Sequence, residues 1–83
     1  MRPSCLDCVI KHLAQAIVLM KESRLGYTIH KWLAIGHLAE AEEESISKYP
    51  ELAAKIKEAR NAIDIQGILW DVFIEAIDLF DRD

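Results

Sequence analysis

The sequence predicts an all-α protein: an antiparallel helical hairpin followed by a long or glycine-broken C-terminal helix. Apolar residues recur every three or four positions along most of the 83 residues, which is the period of an amphipathic helix. Hydrophobic residues make up 52% of the chain, an excess for a core this small. We therefore expect one domain, residues 1–83, whose small helical bundle is completed by oligomerisation, a partner or a metal.

Charge and hydropathy exclude several classes of partner. The net charge of −4 argues against nucleic-acid binding, which needs a basic face. No apolar run reaches the roughly 18 residues that cross a bilayer, and Lys11 and His12 interrupt the apolar region that a signal peptide would need. We expect a soluble cytoplasmic protein without membrane contact, and therefore reduced cysteines.

The first helix is expected at about residues 5–24. Ser4 suits its N-cap, with Asp7 completing a variant capping box. Lys21 and Arg24 suit the negative end of the helix dipole, and Gly26 suits the stop.

The second helix is expected at about residues 28–48, apolar around most of its first half and rich in glutamate in its second. One strip combines two histidines with small residues that would let another helix approach closely. This strip consists of His30, Ala34, His37, Ala41 and Ser45.

Pro50 suits the start of a third helix at residues 50–81, because proline is favoured in the first helical turn. Gln66 and Gly67 either break this segment, so that a fourth helix folds back, or lie within one helix of about 31 residues and roughly 46 Å. A single glycine costs only about 1 kcal/mol inside a helix. We favour the continuous helix, which would extend beyond the hairpin.

Apolar residues between positions 65 and 80 cover more than one helix face. Such a two-sided segment predicts an interface with a second copy of the chain or with a protein partner. The residues expected at this interface are Ile65, Ile68, Leu69, Val72 and Leu79.

The motif Cys5-x-x-Cys8-x-x-x-His12 is the local pattern whose residue types do specific chemistry. Thiolate and imidazole are ligands that zinc prefers, and zinc would supply stability to a small domain. The predicted zinc ligands are Cys5, Cys8, His12 and His37. Cys5 lies two helical turns from His12, so it can join the site only if the first turn unwinds or the helix starts later.

The hairpin register decides which histidines can meet. If the two helices turn about Gly26, the numbers of facing residues add up to about 52. His12 then faces Glu40 and lies about one turn from His37. His30 faces Glu22 and lies too far from the motif.

The same motif also suits thiol redox chemistry. A helix N-terminus favours the thiolate, and a histidine one turn later could relay its proton. The pattern C-x-x-C-x-x-x-H is similar to the active-site motif of the alkylhydroperoxidase family, whose members are all-helical and oligomeric. This resemblance implies peroxide reduction with Cys5 and Cys8 as the redox pair and His12 as the relay. That family also has a glutamate on a preceding helix, for which the motif offers no counterpart.

Other interpretations of these residues need no chemistry. Cysteines are commonly small buried apolar residues, and a histidine at the edge of a core is commonly just hydrogen-bonded. His37 and Glu40 form a single reversed fragment of the pattern that carboxylate-bridged metal sites repeat. The run Glu40–Glu44, with Glu75 and Asp78, could bind magnesium, but we interpret such a charge run as a solvated face.

The function that we expect is a small binding or regulatory module without catalysis, which acts through protein–protein contacts and has a possible zinc site at its N-terminal corner. One alternative is a thiol redox enzyme. The other is a purely structural oligomerisation domain. A metal assay separates these three classes, because only the first predicts joint loss of metal and stability when Cys5 or Cys8 is replaced by serine.

Overall fold

A computed structural model describes residues 5–26, 28–65 and 67–82, which form four α-helices and no strand. The helices are α1 (Leu6–Arg24), α2 (Ile29–Ser45), α3 (Pro50–Asn61) and α4 (Ile68–Arg82). The predicted all-α class is confirmed. None of these helices combines the length and apolar character that a membrane span requires.

The two ends of α1 are fixed by local chemistry. Cys5 is the N-cap, with an extended backbone (φ −127°, ψ 97°), and its Sγ accepts a hydrogen bond from the Cys8 backbone N–H at 3.1 Å. Cys5 therefore lies outside the helix, while the N-cap predicted for Ser4 falls outside the described residues. At the other end, Gly26 has a φ of +109°, a left-handed conformation that glycine adopts without strain.

The continuous C-terminal helix is not formed, so the sequence-based preference was wrong. The third helix ends at Asn61, and Gly67 has a φ of +88° just before α4 begins. The turn between them directs Ile63 and Leu69 into the core, where they are 5% and 7% exposed. The structure has the other predicted arrangement, in which a fourth helix folds back over the hairpin.

The four helices form a closed ring in which each contacts its neighbours in the order α1, α2, α3, α4 and back to α1. The largest fully buried apolar side chains come from the first three helices and are Val9, Leu13, Leu38, Leu52 and Ile56. The third and fourth helices are also tied together at the surface, because Lys55 Nζ donates to both carboxylate oxygens of Glu75 at 2.7 and 2.8 Å. This hydrogen bond raises the pKa of Lys55.

Part of the predicted interface belongs to the core of the single chain. Leu69 and Val72 are buried against α1 and α3, and Ile68 and Leu79 pack partly against the same cluster. Of the five predicted interface residues, only Ile65 is largely exposed. Association of the chain stays a prediction, and a different set of α4 residues would have to make the contact, namely Trp70, Ile74 and Phe80.

The small-residue strip of α2 has the role that the sequence suggested. Ala34, Ala41 and Ser45 are fully buried, and the Ser45 hydroxyl donates to the backbone carbonyl of Ala41 at 2.9 Å. Small side chains let α2 lie close to its neighbours. His37 of this strip and the neighbouring Glu44 are thereby brought near α1.

Candidate metal centre

His12 of α1 is held between two side chains of α2. Its Nδ1 lies 2.9 Å from Nδ1 of His37, and its Nε2 lies 3.1 Å from Oε1 of Glu44. The two imidazole rings are 5.1 Å apart between centroids and inclined by 37°. Both nitrogens of one partly buried imidazole therefore face polar atoms of the neighbouring helix.

The hairpin register agrees with the sequence-based expectation. His12 lies near Glu40, and at the opposite end of the hairpin His30 Nδ1 lies 2.9 Å from Glu22 Oε2. His30 is consequently paired with α1 close to the turn between the helices, well away from His12. The expectation that His30 stands apart from the motif is confirmed.

Glu44 is the feature that the sequence interpretation missed. Its side chain is only 5% exposed, although the whole run Glu40–Glu44 was expected to be a solvated face. Burying a carboxylate is costly unless a hydrogen-bond donor or a cation compensates it, and His12 supplies the nearest ring nitrogen. Helical spacing was the available signal, since His37, Glu40 and Glu44 follow one another at intervals of three and four residues.

Glu42 is the second exception to the solvated face. It is partly buried, and its Oε1 lies 3.1 Å from Nη2 of Arg60 on α3. This ion pair links α2 to α3 on the side of the helix away from His12. Glu42 therefore has a structural explanation that does not involve the cluster around His12.

Three donor atoms converge around one side of His12. One ligand atom from each of His12, Glu40 and Glu44 lies within 4.8 Å of the other two, and the part of the chain that the structure describes contains no second such group of three. Around a tetrahedral ion with bonds of about 2.0–2.2 Å, two ligand atoms lie about 3.3–3.6 Å apart. The three donors would have to draw together around an ion, and the exposed Glu40 is the side chain best placed to move.

The cysteines are joined to each other. Cys5 and Cys8 form a disulfide, with their Cα atoms 5.2 Å apart, so the expectation of reduced thiols is corrected. Both residues are half-buried at the start of α1. Of the four predicted zinc ligands, the structure brings His12 and His37 together and joins Cys5 to Cys8 in a disulfide.

The arrangement around His12 suits ion binding better than nucleophilic catalysis. The hydroxyl nearest in sequence to the buried glutamate belongs to Ser45, and it donates to backbone carbonyls of its own helix. What remains is a set of nitrogen and oxygen donors that opens to solvent at Glu40. Comparisons with models of protein families, with curated proteins and with solved structures find no match for this chain.

Proposed function

We propose that this chain is a small helical module that binds one divalent metal ion between α1 and α2. The observation that carries the proposal is the convergence of His12, Glu40 and Glu44 within 4.8 Å, with Glu44 buried. A buried carboxylate beside an imidazole is expensive to maintain for packing alone. It becomes favourable when both groups share a cation.

Zinc is the ion that these donors suit best. Zinc accepts imidazole nitrogen and carboxylate oxygen as ligands, whereas magnesium and calcium prefer oxygen alone. Three protein donors would leave one tetrahedral position for water or for a group supplied by a partner. Because Glu40 is exposed, this position would lie on the solvent side of the cluster.

The bound ion would cross-link the two helices of the hairpin. It would connect one residue of α1 to two residues of α2, in a chain short enough to have a modest core. A ligand at 100 times its dissociation constant adds about 2.7 kcal/mol to the free energy of unfolding. Metal supply would therefore control how rigidly α1 and α2 are held together.

Exposed apolar side chains support a protein-binding role for the module. Trp32 and Leu33 on α2 and Trp70 and Phe80 on α4 are each about half exposed or more. Exposed apolar patches commonly mark contact with another protein. In this proposal the metal holds the helices in place, and their outer faces make the contact.

The experiment is a zinc titration by isothermal calorimetry with the disulfide kept intact. The wild-type chain should take up one zinc ion, and His12→Asn and Glu44→Gln should each weaken binding about 100-fold, because even outer-shell changes cost 10–100-fold. Glu43→Gln is the matched control, since it removes the same charge from an exposed neighbour. Absence of zinc binding, or equal affinities for Glu44→Gln and Glu43→Gln, would contradict the proposal.

A further inference from the structure

The disulfide lies one helical turn from the cluster around His12. Cys8 and His12 are four residues apart on α1, which places their side chains on one face with Cβ atoms about 5–6 Å apart. Cys5 is off the helix in an extended conformation. Cys5 is the N-cap, so the helix begins after it. This is the condition under which Cys5 can join a metal site with His12.

The two ring nitrogens of His12 face different residues of α2. Its Nδ1 meets Nδ1 of His37 at 2.9 Å, while its Nε2 is directed at the Glu44 carboxylate. A carboxylate at one nitrogen of an imidazole is the arrangement that orients the other nitrogen toward a metal. His12 is therefore arranged so that its Nδ1, together with that of His37, could share one ion.

We propose that reduction of the Cys5–Cys8 disulfide converts this corner into a thiolate–imidazole zinc site. The ligands would be Cys5, Cys8, His12 through Nδ1 and His37 through Nδ1, with Glu44 holding His12 from its Nε2 side. Two sulfurs and two nitrogens are a standard donor set for structural zinc. The inference rests on the proposed function, because His12 is a ligand in both proposed sites.

The redox step balances with a dithiol as the reductant. Two electrons from the dithiol break the Cys5–Cys8 bond, its own two sulfurs become a disulfide, and its two protons pass to the freed cysteine thiols. Zinc then displaces both protons to solvent as the thiolates bind. Oxidation reverses the sequence, releases the thiolate-bound ion and leaves only the carboxylate set around His12.

The start of α1 already provides a hydrogen-bond donor to one of the two sulfurs. The Cys8 backbone N–H already donates to Sγ of Cys5 at 3.1 Å, and the N-terminus of α1 stabilises negative charge on the sulfurs. Both cysteines are half-buried, so a reductant can reach them. Exchanging oxygen donors for thiolates should tighten zinc binding by about 100-fold.

Cobalt(II) provides the direct test, because cobalt–thiolate bonds absorb strongly in the near ultraviolet. Cobalt added to the reduced full chain should produce this absorption, which zinc should then abolish. The oxidised chain and the Cys5→Ser and Cys8→Ser variants should lack it. Helical circular dichroism of each variant shows whether it is folded.

Two histidine variants separate this inference from its alternatives. His37→Gln should remove most of the roughly 100-fold gain on reduction, because the reduced site would lose a ligand whereas the oxidised site would lose only an outer-shell partner of His12, and the control His30→Gln should alter neither. If reduced protein with two free thiols gives no cobalt–thiolate absorption, or binds zinc as weakly as oxidised protein, the inference is wrong. Zinc binding by the oxidised chain decides the proposed function separately.

Discussion

His12 and His37 meet through the same ring atom, with their Nδ1 nitrogens 2.9 Å apart across the contact between α1 and α2. In the absence of metal, one of these nitrogens must donate and the other must accept. The Glu44 carboxylate lies 3.1 Å from Nε2 of His12. This contact indicates which of the two imidazoles donates. A carboxylate only accepts, so we expect His12 to carry its proton on Nε2, which leaves Nδ1 as the acceptor.

The first prediction concerns the tautomers of these two rings. In metal-free protein at pH 8, neutral His37 should be the Nδ1–H tautomer and neutral His12 the Nε2–H tautomer, as measured by nitrogen-15 NMR of the side chains. Glu44→Gln should relax this preference, because an amide can either donate or accept. Finding His37 as the Nε2–H tautomer in the metal-free wild-type chain would contradict the hydrogen bond.

The second prediction concerns the turn between α3 and α4. Gly67→Ala should lower the free energy of unfolding by about 1 kcal/mol, because a side chain in the left-handed region costs about 1–2 kcal/mol and the less flexible unfolded chain returns part of it. An added Cβ would meet nothing within 4 Å, so the effect is one of backbone conformation.

Gly36 offers the matched control for that substitution. It lies inside α2, and an added Cβ there would also meet nothing within 4 Å. Gly36→Ala should therefore stabilise the protein by up to about 1 kcal/mol. Urea unfolding of both variants gives the comparison, and two shifts of the same sign would show that the turn does not require a glycine.

The helices and the hairpin register could be predicted from the sequence because both depend on local spacing. The pairing of His30 with Glu22 follows from the position of Gly26 alone. The break at Gly67 could not be predicted in this way. A glycine costs a helix only about 1 kcal/mol, whereas burying Ile63 and Leu69 is worth about 1.5–3 kcal/mol for each side chain, and that gain is visible only in the packed bundle.

The candidate site was predictable only in part, for two physical reasons. A run of glutamates looks uniformly solvated, although helical geometry turns one of them, Glu44, toward α1. The spacing of Cys5 and Cys8 serves a disulfide and a metal equally well, so it does not set their oxidation state. His12 and His37 were identified correctly as neighbours, because the register of the hairpin sets the position of each residue along the pair of helices.

The third prediction tests which face of α2 points inward. Leu38 is fully buried, while Leu33 on the same helix is half exposed. Leu38→Ala should cost about 2–5 kcal/mol through lost burial and a residual cavity, a large share of the roughly 4–12 kcal/mol expected for a domain of this size. Leu33→Ala should change stability by no more than about 0.5 kcal/mol. Chemical denaturation measures both, and similar losses would mean that the helix is rotated.

The fourth prediction concerns association of the chain. Replacing Trp70 by lysine should reduce any self-association while leaving the fold intact, because Trp70 is 53% exposed on the outer face of α4. Sedimentation velocity measures the assembly, and thermal unfolding of the same samples measures the fold.

Leu69→Lys provides the contrast, since Leu69 lies next to Trp70 but faces the core. A buried unpaired charge should unfold this variant whether or not the chain associates. The wild-type chain should sediment as a dimer or larger at micromolar concentration, because half-exposed Trp70, Ile74 and Phe80 give α4 an apolar outer face. A wild-type chain that stays monomeric at this concentration, or a Trp70→Lys variant that assembles as the wild type does, would contradict association through α4.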